Sequence, residues 1–112
     1  MNNMQIDLSQ VEEKRYVHFK EGTGAAVLRI FENDQLIVLK GYLEIGSSVG
    51  YHSHPDSNET IYVFGGNGKV IEGNGEYPVT GGSCSFCPKG GSHSLVNTGD
   101  TPLYFMGVVT KF

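Results

Sequence analysis

The chain has 112 residues, of which 38% are hydrophobic and 18% charged, a balance that fits a soluble globular protein of one-domain size and excludes a disordered one. A formal net charge of −4 provides no basic footprint for nucleic acid. No run of about 18 apolar residues offers a membrane span, and no charged-then-apolar leader opens the chain, so a cytoplasmic location is expected.

Residues 1–15 are polar with scattered apolar positions and end in Glu12-Glu13-Lys14-Arg15; a mobile arm, or a strand added to a partner subunit, is expected there. Tyr16-Val17-His18-Phe19 and the run from Ala25 to Phe31 read as short strands separated by the turn Gly22-Thr23-Gly24. That turn is too short for a dinucleotide fingerprint and lacks its third glycine. Asn33-Asp34 marks a hairpin leading into Leu36–Leu39, with Tyr42–Ile45 following.

Ile61–Phe64 ends at Gly65-Gly66-Asn67-Gly68. Lys69–Glu72 and Glu76–Val79 then flank Gly73-Asn74-Gly75, where Asn-Gly suits the positive φ of a type I′ turn. Pro78 restricts its strand to a sheet edge or a strand start. Asn97-Thr98-Gly99-Asp100 is the last turn, before Leu103–Met106 and Val108-Val109. No segment keeps a helical period over ten residues and no internal repeat is present. Sixteen glycines between short apolar runs indicate an all-β sandwich or barrel.

Four residues carry metal-ligand chemistry. His52 and His54 stand two apart, so on an extended strand both rings face one side with Cα atoms roughly 6.5–7 Å apart. Glu59 follows the polar turn Pro55-Asp56-Ser57-Asn58, and His93 comes from a separate strand. Three imidazoles and a carboxylate suit one divalent ion of Mn, Fe, Ni, Co, Zn or Cu. Cys84 and Cys87 cannot make a four-thiolate site, and on a strand they face opposite sides roughly 10 Å apart, beyond disulfide reach. They are expected as reduced thiols in or beside the core. Asn58-Glu59-Thr60 matches a glycosylation acceptor, which without a signal peptide is read as chance.

The glycines around these ligands form two patterns. Residues 46–66 run from Gly46 through His52, His54 and Glu59 to Gly66; residues 82–97 run from Gly82 through Pro88, Gly90 and His93 to Asn97. These stretches resemble the paired motifs of the cupin superfamily, with every defining position filled. The resemblance implies a single cupin barrel (a double-stranded β-helix or jelly roll) over residues 1–112. It specifies the fold closely and the reaction loosely.

Alternation then assigns the pocket wall. Ile61 and Val63 share the face of Glu59, and Leu95 and Asn97 that of His93. Taking Ser83 and Ser85 as outward, Cys84 and Phe86 point inward and Cys87 to the other side. His18 lies outside both motifs and is read as structural or exposed; Tyr62 and Tyr77 are read as covering the outer sheet or an interface.

Cupins with this ligand set include quercetinase-like dioxygenases, oxalate-degrading enzymes and sugar-phosphate isomerases, whereas thiol dioxygenases resemble the variant without a carboxylate. The resemblance therefore implies a metal-dependent enzyme, dioxygenase-like, decarboxylase-like or isomerase-like, acting on a small oxygen-rich anion or enolisable carbonyl, with Glu59 as a metal ligand able to serve as base. The alternative is a non-catalytic module that binds or senses a small molecule, since no other inward carboxylate is evident in the motifs. Storage-type cupins generally lack the intact ligand set. A homodimer packed sheet against sheet is expected, because one barrel leaves an apolar outer face and open edges.

Overall fold

Ten strands make up most of residues 3–112, the part of the chain described by the computed structural model: β1 (Lys14–Val17), β2 (Ala25–Glu32), β3 (Leu36–Leu43), β4 (His52–Ser53), β5 (Ser57–Gly65), β6 (Asn67–Glu72), β7 (Gly75–Thr80), β8 (Cys84–Cys87), β9 (Ser92–Asn97) and β10 (Leu103–Lys111). Among the described residues, the helical elements are single 3-10 turns at Leu8–Gln10 and Phe19–Glu21. The strands form a six-stranded sheet, β1-β2-β3-β10-β5-β8, and a four-stranded sheet, β4-β9-β6-β7, with antiparallel pairing throughout.

Alternation along the strands creates the core. On β10, Leu103, Phe105, Gly107 and Val109 turn inward while Tyr104, Met106 and Val108 face out. Glu59, Ile61 and Val63 do the same on β5, opposite Thr60, Tyr62 and Phe64. Phe105, Leu28, Leu43, Leu95 and Leu103 are almost fully withdrawn from solvent. Truncating a side chain such as Phe105 to alanine would cost about 3–5 kcal/mol, as lost burial and a cavity add together.

Several boundaries differ from the sequence reading. Leu36–Leu43 is one continuous strand and so is Leu103–Lys111, because Gly41 and Gly107 lie inside ladders. His18 leaves the strand at φ +56 and starts the Phe19–Glu21 turn. The β6–β7 hairpin is present, but Glu72 pairs with Gly75 and the connection is Gly73-Asn74. Its positive φ of +135 falls on Gly75 rather than on Asn74, so the turn is not of type I′. β7 is a sheet edge, where the missing N–H of Pro78 costs no ladder bond.

Of the N-terminal segment, Met1 and Asn2 lie outside the described residues. Lys14 and Arg15 belong to β1, which pairs with β2 of the same chain. The Arg29 guanidinium also donates to the Val11 carbonyl.

Asn97 ties the far end of the barrel together. Its buried Nδ2 donates to the Leu43, Glu44 and Thr101 carbonyls at 3.1, 3.2 and 2.9 Å, and its Oδ1 accepts from the Gly99 amide at 3.0 Å. The motif position is thus a structural clamp, remote from the ligand residues.

Candidate metal centre

His52 opens the short strand β4 and pairs directly with His93 on β9. His54 follows β4 in the connection to β5, and Glu59 sits on β5 across from Cys87. His54, Glu59 and His93 are buried and His52 is half-buried.

Four donor atoms converge. Glu59 Oε1 lies 2.9 Å from His93 Nε2, 3.1 Å from His54 Nε2 and 3.9 Å from His52 Nε2, and the His54 and His93 Nε2 atoms are 3.1 Å apart. All four ligand atoms lie within 4.8 Å of one another. Neighbouring donors each about 2.0–2.2 Å from a shared ion stand roughly 3 Å apart, so the spacing fits a metal.

The outer nitrogens support the same reading. His52 Nδ1 donates to the Gly50 carbonyl at 2.7 Å, which leaves Nε2 bare and turned inward. His54 Nδ1 meets Ser57 Oγ at 2.9 Å. Lone pairs from several imidazoles aimed at one point repel unless a cation or proton lies between them. Burial pushes the Glu59 carboxyl up, but the imidazoles of His52, His54 and His93 outweigh it and hold the group far below the ordinary carboxylate range. An anionic carboxylate is what a divalent ion needs there.

Three supporting residues carry no ligand signature in the sequence: Gly50, Ser57 and Gly107. The first two orient histidines; Gly107 on β10 leaves room for the carboxylate, since a β-carbon there would lie 2.6 Å from Glu59 Oε2. An isolated glycine within an apolar strand is the faint signal that could have marked it.

The donors lie at a cavity of about 330 Å3. Ile61 and Leu95 line it, and Val63 is buried in the core outside its wall. The β8 assignment is reversed. Cys84 is exposed and Phe86 is 56% exposed, whereas Ser85 and Cys87 are buried. The register explains this: Ser85 pairs with Ile61 and Cys87 with Glu59, and directly paired residues share a face. A serine tolerates the inner position because its hydroxyl bonds to Tyr77 Oη at 2.8 Å. The remaining walls come from elements outside both motifs, including Phe19, Ile30, Ile37, Leu39 and Phe105. Lys20, Glu32 and Lys111 also border the cavity, and the Lys111 ammonium pairs with Glu32.

Two β-sheets enclosing three imidazoles and one carboxylate beside a largely apolar cavity make an all-β barrel with a candidate metal centre. Residues 36–109 match the family model described as a cupin domain, and the chain belongs to that family. It is 29% identical over 112 residues to the oxalate-binding protein of Thermotoga maritima, covering 95% of this chain and 93% of that one. A crystal structure from Thermotoga maritima described as a predicted oxalate decarboxylase superposes with a TM-score of 0.83 at 27% identity, over 97% of this chain and 100% of the other. A sugar phosphate isomerase of the cupin superfamily from Silicibacter pomeroyi gives 0.76 at 23% identity, over 97% and 76% of the chains, a likeness of fold alone.

Proposed function

We propose that this protein holds one divalent transition metal through His52, His54, Glu59 and His93 and uses it to capture a small oxygen-rich anion or enolisable carbonyl compound, as a metal-dependent cupin enzyme. The observation that carries this reading is the convergence of the four donor atoms beside an open cavity. When bound, such a metal supplies a Lewis acid that polarises a ligand oxygen or acidifies water. The protein's own part is to fix the imidazoles through Gly50 and Ser57, keep Glu59 anionic, and exclude bulk water with apolar walls. Lys20 at the cavity favours approach of an anion. The Thermotoga relative's name adds support for a carboxylate ligand.

A second reading, capture without turnover, is favoured by one observation. Glu59 and the three histidines aside, the charged residues lining this cavity are Lys20, Glu32 and Lys111, and two of these neutralise each other. General acid–base work would thus fall to Glu59, itself a ligand. Incubating metal-loaded protein with oxalate or pyruvate and analysing the small molecule afterwards separates the readings. Product formed in proportion to enzyme supports catalysis; unchanged ligand retained only by metal-loaded protein supports binding; no metal-dependent retention or turnover refutes both.

The protein also carries a candidate self-association surface. Tyr62, Phe64, Phe86 and Tyr104 are exposed on the six-stranded sheet, with Lys40 lying over the Phe64 ring. A homodimer packed through this face would cover them and needs no exchanged N-terminal strand.

A further inference from the structure

The cavity beside the metal centre is larger than a two-carbon dianion needs and has the wrong walls for one. Its volume of about 330 Å3 falls among pockets that enclose whole small molecules. Ile30, Ile37, Leu39, Ile61, Phe105 and Val109 present hydrocarbon to its interior. Polar surface laid against such walls loses hydration that hydrocarbon does not replace, whereas each buried methylene of a ligand improves affinity about fourfold.

One wall comes from no strand. Phe19 is half-buried in a turn where His18, Lys20 and Glu21 hold φ of +56, +54 and +64. Residues with a β-carbon adopt that conformation at a cost, and it persists only where the surroundings impose it. Here Gly50 helps to hold it, together with the Gly22 amide, which also donates to the Phe19 carbonyl. The Gly50 amide donates to the Phe19 carbonyl at 3.0 Å, and a β-carbon at position 50 would collide with the Lys20 carbonyl oxygen. The Gly50 carbonyl meanwhile accepts from His52 Nδ1. The turn is thus fastened to the backbone that orients a metal ligand, and the Phe19 ring packs on Tyr16 with centroids 5.4 Å apart.

Resting on the metal-dependent capture proposed above, we infer that the ligand is a carboxylate chelator bearing an apolar body, and that Phe19 is the residue that selects that body. The chelating end meets the metal; the body lies against Leu39, Ile61 and Phe105 and is closed in by the Phe19 ring. Oxalate fits the centre but leaves most of the cavity unfilled.

The test is calorimetric titration of metal-loaded and metal-free protein with oxalate, pyruvate, 2-oxobutyrate, 2-oxopentanoate and 2-oxo-4-methylpentanoate. Wild-type affinity is expected to rise about fourfold with each added methylene until the cavity is full. In Phe19→Ala the advantage of 2-oxo-4-methylpentanoate over pyruvate should shrink about tenfold, pyruvate itself moving less than about twofold, and Phe19→Leu should restore most of the loss. A flat or falling affinity with chain length in the wild type, with oxalate tightest, overturns the inference while leaving metal-dependent capture intact. Equal weakening of every acid in Phe19→Ala removes the selecting role. If no acid in the series binds, or all bind equally without metal, the capture reading falls and this inference with it. Should Phe19→Ala fail to fold, the wild-type series decides alone.

Discussion

Glu59 on β5 and Gly107 on β10 are diagonal neighbours, Glu59 pairing with Val109 and Gly107 with Ile61, and the Glu59 carboxylate occupies the space that a side chain at position 107 would need. Glu59 Oε2 lies 2.6 Å from the position of a β-carbon on residue 107, and Leu39 Cδ1 closes the same space at 3.3 Å. The Gly107→Ala variant should therefore displace the carboxylate while the barrel stays folded. Metal affinity, measured by competition with a chromogenic chelator, should fall about 10–100-fold, the range seen when the support of a ligand is lost. Undiminished affinity would show that Glu59 does not hold the ion.

The buried His54 places its Nε2 3.1 Å from both Glu59 Oε1 and His93 Nε2. His54→Ala should abolish stoichiometric metal uptake, and with it ligand capture and any turnover. Ser57→Ala removes only the Nδ1 partner, so it should weaken uptake by about tenfold and leave the ligand set complete. Elemental analysis of protein purified without added metal or chelator reads both variants. Activity in a metal-free His54→Ala protein would contradict the proposed function.

Metal removal should lower thermal stability, because an ion that binds only the folded state stabilises it by mass action, about 2.7 kcal/mol at a hundred times its dissociation constant. Scanning calorimetry with and without chelator checks this. An unchanged midpoint would mean that the donors bind no ion under those conditions.

The two cysteines should react in sequence. Burial, then the charges of Glu59 and Glu72, pushes the Cys87 thiol up, so its thiolate is scarce near neutrality and grows only as the pH rises toward the elevated value. Cys84 is exposed. At pH about 8, iodoacetamide should modify one thiol quickly and the second slowly, the slow phase speeding with pH and vanishing in Cys87→Ser. Simultaneous modification of both would contradict the burial of Cys87.

Phe86→Glu with Tyr62→Glu should convert a dimer to a monomer, read as a halved mass by light scattering at micromolar concentration. A wild-type mass of 12.2 kDa would refute the dimer outright.

The sequence discloses what repeats or punctuates, and conceals what depends on pairing. The His52, His54, Glu59 and His93 grouping is legible because the ligand types sit between turn-forming glycines at fixed spacing. Gly66 and Gly82, at φ +89 and +97, are such points of punctuation. The direction of β8 is not legible, because a serine-cysteine alternation has little polarity contrast and only the Glu59–Cys87 register decides which face is inner. Gly107 and Phe19 leave little trace in the sequence for a related reason. Each acts through a neighbour far away in sequence, and neither position has a ligand-like side chain.

Glu59 belongs to the six-stranded sheet, whereas His52 and His93 belong to the four-stranded one. An ion held by all of them is therefore a rivet between the two layers, added to the Tyr77–Ser85 hydrogen bond that also spans them. The Asn97 clamp closes the opposite end whether or not an ion is present. The stripped protein should thus breathe at one mouth like a hinged shell, with amide exchange accelerated around His52 and Ser92 but unchanged near Leu103.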